Sequence, residues 1–153
     1  VDVKPPEEIY DLSLVGVAIQ ATYRGAPMIY YGAEVGMWGA DDPTDRKPYP
    51  WPDEGPMANP DDEIVPGILP VYQEWFGLRH HEMIGPILRY GATQHLDSGD
   101  PDVFAFIRSL NGRRVYVVAN KGDRSYNAAD LLPTPQRDTI VEPVSARYWV
   151  IED

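Results

Sequence analysis

The sequence predicts an α+β fold in which a helix–strand–helix unit precedes an antiparallel β-sandwich. In two segments of the first 81 residues, apolar side chains recur at three- and four-residue steps, as in amphipathic helices. After Gly85-Pro86 the chain changes to short β-prone runs separated by Gly, Asn, Asp and Pro, a texture typical of a sandwich. We therefore predict two domains, residues 1–85 and residues 86–153.

The size and composition of the chain limit what it can be. Its 153 residues suffice for one ordinary domain or two small ones, whereas a complete (β/α)₈ barrel takes about 250 residues. A hydrophobic content of 43% predicts a real core rather than disorder. The absence of cysteine excludes disulfides and thiolate metal sites, and it fits the cytoplasm and the periplasm equally well.

The charge of the chain bears on its partners. A net charge of −11 disfavours binding to nucleic acids and anionic membrane surfaces, and it suits a neutral substrate. We recognise no transmembrane run and no signal peptide. We also find no phosphate loop or Rossmann glycine pattern and expect no cofactor. Because the chain begins with Val1 rather than Met, we expect it to be a piece of something longer.

The first helix is predicted from prolines and glutamates at residues 5–8, which suit a helix N-terminus, to about Arg24. Gly25 is expected to end it. Gly16 lowers helix propensity, which predicts close packing against a neighbour at that point. The predicted apolar face comprises Ile9, Leu12, Val15, Ile19 and Tyr23.

Residues 28–31 form a short apolar run between Gly25 and Gly32, which predicts one buried strand. Its apolar residues are continuous rather than alternating, as in a parallel sheet covered on both faces. The chain supplies no obvious parallel neighbour for it. We therefore expect the chain either to self-associate through this strand or to leave the helix–strand unit poorly ordered.

Residues 33–65 are predicted to form a long loop, and loops of this length are usually functional or mobile. The loop carries Trp38 and Trp51 together with Asp42 and Arg46. Aromatic rings stack on the apolar faces of sugars, while charged groups hydrogen-bond the hydroxyls, so this composition suits a carbohydrate. Two alternatives stay open: the Asp42–Arg46 pair only pins the loop, and the aromatic rings pack beneath it.

A second helix is predicted from residue 66 or 70 to His81, with Arg79 and the histidines in its last turn. Its apolar stripe comprises Ile68, Leu69, Tyr72, Trp75 and Phe76. Six strands follow, at residues 87–90, 93–96, 103–110, 114–120, 139–141 and 147–151. Asn111-Gly112 predicts a hairpin turn between the third and fourth, since both positions tolerate positive φ.

Two stretches of the chain carry a family resemblance. The first reads Gly25-x-Pro27-x-Ile29-Tyr30-Tyr31-Gly32-x-Glu34-x-Gly36-Met37, then Asp42-Pro43-x-x-Arg46-x-Pro48-x-x-Trp51, and the second reads Glu142-Pro143-x-Ser145-Ala146-x-x-Trp149-Val150. The first resembles the last barrel strand and its loop in the α-amylase superfamily, most closely in its neopullulanase, cyclomaltodextrinase and maltogenic-amylase branch, and the second is similar to the end of that family's β-domain. Ala33 and Tyr49 depart from the usual pattern.

The resemblance implies that residues 1–85 are the last helix–strand–helix of a (β/α)₈ barrel, with the substrate-side loop at 33–65, and that a C-terminal β-domain follows. The family acts on α-glucans by a retaining mechanism, whose carboxylates come from the fourth, fifth and seventh barrel strands. None of those strands is present here, so we expect no catalytic residue and no hydrolysis by this chain alone. By the resemblance, Asp42 and Arg46 would bind sugar hydroxyls. The chemistry of the aromatic rings, rather than the resemblance, makes Trp38, Tyr49 and Trp51 candidate sugar platforms.

Other interpretations are a transglycosylase of the same superfamily and a non-catalytic carbohydrate-binding or structural module. Glu34 either points into the active face or bonds to the loop backbone. The aspartates at 41, 42 and 45 lack the glycine and terminal glutamate of a calcium-binding EF-hand loop. The three histidines are too scattered for a zinc site, so we expect no metal.

Overall fold

The computed structural model describes residues 3–152, so Val1, Asp2 and Asp153, which the predicted domains include, lie outside the described residues. The architecture is α+β, with three helices, namely α1 (Glu7–Thr22), α2 (Ile68–Gly77) and α3 (Ile84–Tyr90). The six strands are β1 (Ala92–Leu96), β2 (Val103–Leu110), β3 (Arg113–Asn120), β4 (Tyr126–Asn127), β5 (Ile140–Val141) and β6 (Ser145–Glu152).

The strands form one four-stranded antiparallel sheet and one short ladder. The order in the larger sheet is β1-β2-β3-β6, and β4 pairs with β5. The hairpin between β2 and β3 is confirmed: Asn111 and Gly112 have φ of 50° and 77° and connect Leu110 to its partner Arg113. Because both turn residues have positive φ, the twist of the turn matches that of the strands.

One of the six strands predicted after residue 86 is wrong, and one strand of this region was not predicted. Residues 87–90 lie in α3, where Ile84, Ile87 and Leu88 are buried at helical spacing. The Gly85-Pro86 pair concealed this helix, because proline is tolerated in the first turn of a helix and does not break it there. The strand that the sequence did not indicate is β4, which has only two residues.

The larger sheet is covered on both faces. On one face, Phe106 of β2 and Val115 and Val117 of β3 form a core with side chains from all three helices. On the other face, Ala105 and Val118 pack against side chains of residues 126–141. Burial on both faces explains why β2 and β3 read as nearly continuous apolar runs.

Two arginines join the helices to one another and to the sheet. Arg108 of β2 is 1% exposed and donates hydrogen bonds of 2.8–2.9 Å to the main-chain oxygens of Thr22, Leu88 and Gly91. Arg79 donates to the main-chain oxygens of Ala21, Tyr23 and Gly25 at 3.0, 3.5 and 2.9 Å. Both therefore supply donors to carbonyls at or just beyond helix C-termini, which lack intrahelical partners.

The predicted end of α2 and the role of Arg79 there are corrected by this arrangement. Helix α2 ends at Gly77, and the predicted last-turn residues 79–81 lie beyond it. Arg79 serves the C-terminus of α1 instead, and the His81 Nδ1 atom accepts the backbone N–H of Met83 at 3.2 Å. The spacing of these residues in the sequence does not reveal which helix C-terminus their side chains hydrogen-bond to.

The predicted apolar face of α1 is wrong in its first half. Ile9 and Leu12 are 51% and 42% exposed, and the core contacts come from Val17, Ala18 and Ala21. The helix is apolar over much of its circumference, so its sequence does not determine which side is buried. The close packing predicted at Gly16 is also absent: nothing lies within 4 Å of a Cβ placed there.

The predicted buried strand at residues 28–31 is wrong as well. These residues are neither paired nor buried, and Met28 and Tyr30 are 81% and 58% exposed. A parallel strand needs a neighbour to take up its backbone hydrogen bonds, and no other strand of the described chain lies alongside it. The segment is held by single contacts, such as the Gln20 amide donating to the Met28 carbonyl at 2.5 Å.

The predicted boundary between residues 85 and 86 falls inside α3, which packs on β2 and β3. The division into two domains stays a prediction. Across residues 3–152, no helix combines the length and the apolar character that crossing a bilayer requires.

Candidate functional site

The loop at residues 33–65 is closed at its base. A 3₁₀ turn at Ala33–Val35 opens it, and the N–H of Val65 donates to the carbonyl of Val35 at 2.9 Å. The Tyr10 hydroxyl of α1 donates to the carbonyl of Gly36 at 3.1 Å. The loop is thus tied to the helical layer at its base, while most of its middle faces solvent.

A tight turn at residues 41–46 carries the first two predicted site residues. The N–H of Thr44 donates to the carbonyl of Asp41 at 2.7 Å, and that of Arg46 donates to the carbonyl of Pro43 at 3.1 Å. The Asp41 carboxylate accepts the N–H of Asp42 at 2.8 Å, as aspartates in turns often do. The turn therefore has main-chain bonds of its own.

Gly39 lets the incoming chain pass directly against this turn. A Cβ at residue 39 would lie 2.5 Å from the carbonyl oxygen of Thr44 and 2.6 Å from the Cα of Asp45. Both of these are backbone atoms, which cannot swing aside as the end of a side chain can. Glycine is required here by the close approach of two backbone segments.

Asp42 and Arg46 form an ion pair on the outside of this turn. The side chains are each 61% exposed, and Asp45 adds a longer contact to Arg46 at 3.9 Å. An exposed ion pair of this kind contributes about 0–1 kcal/mol to stability. Both groups are accessible to a ligand, and the guanidinium fork and the carboxylate together offer donors and acceptors to neighbouring hydroxyls.

Trp38 is held by contacts that the sequence did not predict. The Lys47 ammonium lies 3.3 Å from the centroid of the Trp38 ring and 2.7 Å from a carboxylate oxygen of Asp62. The Trp38 indole N–H donates to the carbonyl of Asp61 at 2.9 Å. One face of the indole is therefore covered by the Lys47 ammonium.

Trp51 is the exposed aromatic residue of the loop. Trp51 is 53% exposed, and its ring centroid lies 4.4 Å from that of Tyr49 at an interplanar angle of 43°. Burial, followed by the negative charge of Glu34 and hydrogen bonding with its carboxylate, raises the pKa of Tyr49. Tyr49 thus anchors Trp51 to the first turn of the loop.

The structure brings only two of the four predicted substrate-binding residues into contact. Asp42 and Arg46 contact each other, whereas Trp38 and Trp51 each pair with a different loop residue. The sequence pattern missed Lys47, which lies 9 residues from Trp38 and 15 residues from Asp62 in the printed sequence. These partners are too far apart in the chain for a local spacing rule to connect them.

Glu34 has one carboxylate oxygen, Oε2, that is buried and has no hydrogen-bond partner within the described part of the chain. Its role in the active face stays a prediction. No cluster of three or more His, Asp or Glu side chains in residues 3–152 is arranged to hold a metal ion.

Comparisons with known proteins find relatives of one kind. A scan against protein-family models finds no match. The chain is 32% identical to neopullulanase 2 of Thermoactinomyces vulgaris over 122 residues, which cover 80% of this chain and 19% of that protein. It is 31% identical to the cyclomaltodextrinase of Thermoanaerobacter pseudethanolicus over 110 residues, covering 72% of this chain and 17% of that protein.

Solved structures share the fold. The cyclic α-maltosyl-(1→6)-maltose hydrolase of Arthrobacter globiformis superposes with a TM-score of 0.76 at 25% identity, covering 94% of this chain and 30% of that protein. That enzyme has also been solved in complex with cyclic α-maltosyl-(1→6)-maltose and with maltose. The α-amylase from H. orenii superposes with a TM-score of 0.70 at 22% identity, which concerns the fold alone.

The chain spans about a fifth of the length of these two relatives. The aligned region is the C-terminal part of the longer proteins.

Proposed function

We propose that this chain, a relative of the C-terminal part of α-amylase-family enzymes, serves as that part of a retaining glycoside hydrolase acting on α-glucans. The substrates would be maltodextrins, cyclodextrins or pullulan. In this proposal the loop at residues 33–65 contributes Asp42, Arg46, Trp38 and Trp51 to substrate binding. The carboxylates that cleave the bond are supplied by another part of the enzyme.

The observation that carries the proposal is the exposed Asp42–Arg46 pair on a turn held by its own main-chain bonds. Neighbouring hydroxyls of a sugar present donors and acceptors in a fixed geometry. A guanidinium fork and a carboxylate held 4 residues apart on one turn match such a pair of hydroxyls. The sugar hydroxyls would replace the hydrogen bonds that the Asp42 and Arg46 side chains otherwise make with each other and with water.

The chain's own part in the mechanism is positional. Retaining hydrolysis uses one carboxyl group as nucleophile and another as acid and base, about 5–5.5 Å apart. Asp42 and Arg46 would hold the sugar ring so that its reactive carbon meets the nucleophile supplied elsewhere, which lowers the entropic part of the barrier. The exposed ring of Trp51 would pack on the apolar face of a sugar.

The division of the chain follows from the same proposal. Residues 1–85 would complete a barrel whose other strands pair with residues 28–31, and residues 86–153 would form the β-domain that follows it. The exposed apolar side chains at 28–31 support this arrangement, since a neighbouring strand would cover them.

The test is Arg46→Ala in a complete enzyme that includes this chain, assayed for cleavage of maltotriose. We expect kcat/KM to fall by about 10- to 100-fold, because a charged hydrogen-bonding group to the substrate is lost. Arg113→Ala is the matched control, since Arg113 also forms a partly exposed ion pair, at 3.0 Å with Glu152, but on β3. Equal kinetics for wild type and Arg46→Ala would contradict the proposed role.

Two further measurements separate the alternatives. Titration calorimetry of maltotriose into the 153-residue chain tests for a self-sufficient binding module: saturable binding that Arg46→Ala abolishes would favour such a module. Product analysis of the complete enzyme tests for a transglycosylase: isomerised disaccharide without net hydrolysis would favour transfer. No cleavage and no binding by the isolated chain, with hydrolysis by the complete enzyme, is the expected result.

A further inference from the structure

The Asp42–Arg46 pair is exposed and cannot hold its own position. Each side chain is 61% exposed, and an ion pair in such a setting is screened by water and salt. If these two groups are to meet a sugar in one geometry, the backbone that carries them must be fixed by other contacts. The structure contains such contacts on both sides of the turn.

On the N-terminal side, the turn is fixed by the direct passage of Gly39 against the backbone of residues 44 and 45. On the C-terminal side, it is fixed by Lys47, the residue that follows Arg46. The carbonyl of Lys47 accepts a hydrogen bond from the Tyr31 hydroxyl at 2.9 Å. Its ammonium lies between the Trp38 ring, at 3.3 Å, and Asp62, at 2.7 Å.

The environment of Lys47 differs from that of the pair that it adjoins. The side chains of Lys47 and Asp62 are only 15% and 17% exposed. An ion pair that is largely shielded from water is stronger than an exposed one, provided that its geometry is good. The same ammonium joins three parts of the loop: its beginning at Trp38, its middle at residue 47 and its end at Asp62.

We propose that Lys47 is a positioning residue that fixes the Asp42–Arg46 turn for substrate binding without touching the substrate itself. This inference rests on the proposed function, because it assigns the geometry of the same site. Trp38 would then act chiefly as the surface on which the Lys47 ammonium is seated.

The decisive variant is Lys47→Met, which keeps an unbranched apolar stem and removes the charge. In a complete enzyme that includes this chain, we expect KM for maltotriose to rise and kcat/KM to fall by about 5- to 100-fold, the upper figure being the rate cost of a 1 Å misplacement. The kcat value should fall too, because a displaced Asp42–Arg46 turn holds the sugar ring less well against the nucleophile. Lys47→Arg, which keeps a cation over the ring, should recover most of the lost affinity.

Two comparisons guard against a purely structural effect. Lys121→Met removes another 2.7 Å ion pair, with Asp102, outside the loop, and should leave KM unchanged. Asp62→Asn weakens the Lys47 contact from the opposite side, and it should raise KM as Lys47→Met does. It also serves as the second variant should Lys47→Met fail to fold.

Amide hydrogen exchange gives a readout that does not depend on sugar. The N–H groups of Thr44 and Arg46 are bonded within the turn, and Lys47→Met should lose their protection while β2 and β3 keep theirs. Unchanged KM and unchanged protection in Lys47→Met and Asp62→Asn would overturn the role of Lys47 alone. A wild-type enzyme with no activity on α-glucans would overturn the proposed function instead.

Discussion

The guanidinium of Arg108 donates a 2.9 Å hydrogen bond to the main-chain oxygen of Thr22, 86 positions earlier in the chain. The same side chain reaches Leu88 and Gly91, so one buried cation serves the C-terminal ends of both α1 and α3. Burial, followed by the nearby guanidinium of Arg79, lowers the pKa of Arg108. The carbonyls at the helix ends compensate a desolvated charge that has no carboxylate among its hydrogen-bond partners.

We predict that Arg108→Met lowers the free energy of unfolding by about 3 kcal/mol, because three shielded carbonyls would each lose a donor at about 1 kcal/mol or more. Urea denaturation followed by circular dichroism measures this. Arg113→Met is the matched control: its side chain is 46% exposed and ion-paired, so the change should cost at most about 1 kcal/mol. Equal losses for the two variants would show that the Arg108 hydrogen bonds add nothing.

Two glycine-to-alanine changes should have opposite effects. Gly39→Ala forces a Cβ against two backbone atoms and should destabilise the chain by about 1–3 kcal/mol, as overpacking does. Gly16→Ala adds a methyl group to open space within α1 and should stabilise it by about 0.5–1 kcal/mol. Thermal unfolding of both variants tests the pair. A stabilised Gly39→Ala would mean that the backbone segments at 39 and 44–45 do not touch.

Stability should fall at alkaline pH, and Tyr49 should account for part of the fall. Because the pKa of Tyr49 is raised in the folded chain, the folded state keeps this proton at a pH where the unfolded state has lost it. The stabilisation is present below the ordinary value of 10.0 and is lost as the pH rises through the folded pKa. Tyr49→Phe should therefore show a shallower decline between about pH 9 and pH 11.

Urea denaturation at several pH values measures these curves. Glu34→Gln removes the charge that opposes ionisation of Tyr49, so its curve should lie between those of the wild type and Tyr49→Phe. Superimposable curves for the wild type and Tyr49→Phe would refute the assignment.

The chain should self-associate through residues 28–31, and Ile29→Lys should reduce this. The segment is apolar and exposed and is not paired with any strand of the described chain, so it can associate with a second copy. Ile140→Lys is the matched control, since Ile140 and Ile29 are 38% and 39% exposed. Light scattering over a range of concentrations gives the mass. A wild-type chain that stays monomeric throughout would contradict the prediction.

The sequence predicted those features whose cause is local. Asn111-Gly112 made the β2–β3 hairpin predictable, because few residue pairs accept positive φ at both turn positions. The alternation of turn residues with β-prone runs is also a local signal, and it predicted the positions of β1, β2, β3, β5 and β6. The loop at 33–65 was predictable from its prolines and carboxylates, and so was the proximity of Asp42 to Arg46.

Features that depend on distant partners were not predictable from local pattern. The apolar residues of α1 offered two sides for burial, and the position of the sheet selected the one that carries Ala18. Residues 28–31 have the composition of a strand but not the neighbour that a strand requires. The Lys47 ammonium contacts Trp38 and Asp62, and these two residues come close to it only in the folded loop.

Helix α3 also decides where this protein can be recombined with its relatives. Its buried residues Ile87 and Leu88 share a core with Phe106 of β2, so a crossover at residue 86 would combine two halves of one interior from different parents. We expect such chimeras to express poorly. A crossover among residues 80–82, ahead of the helix, would keep α3 with the strands on which it rests, although it would still separate them from the side chains that α1 and α2 contribute to the same core.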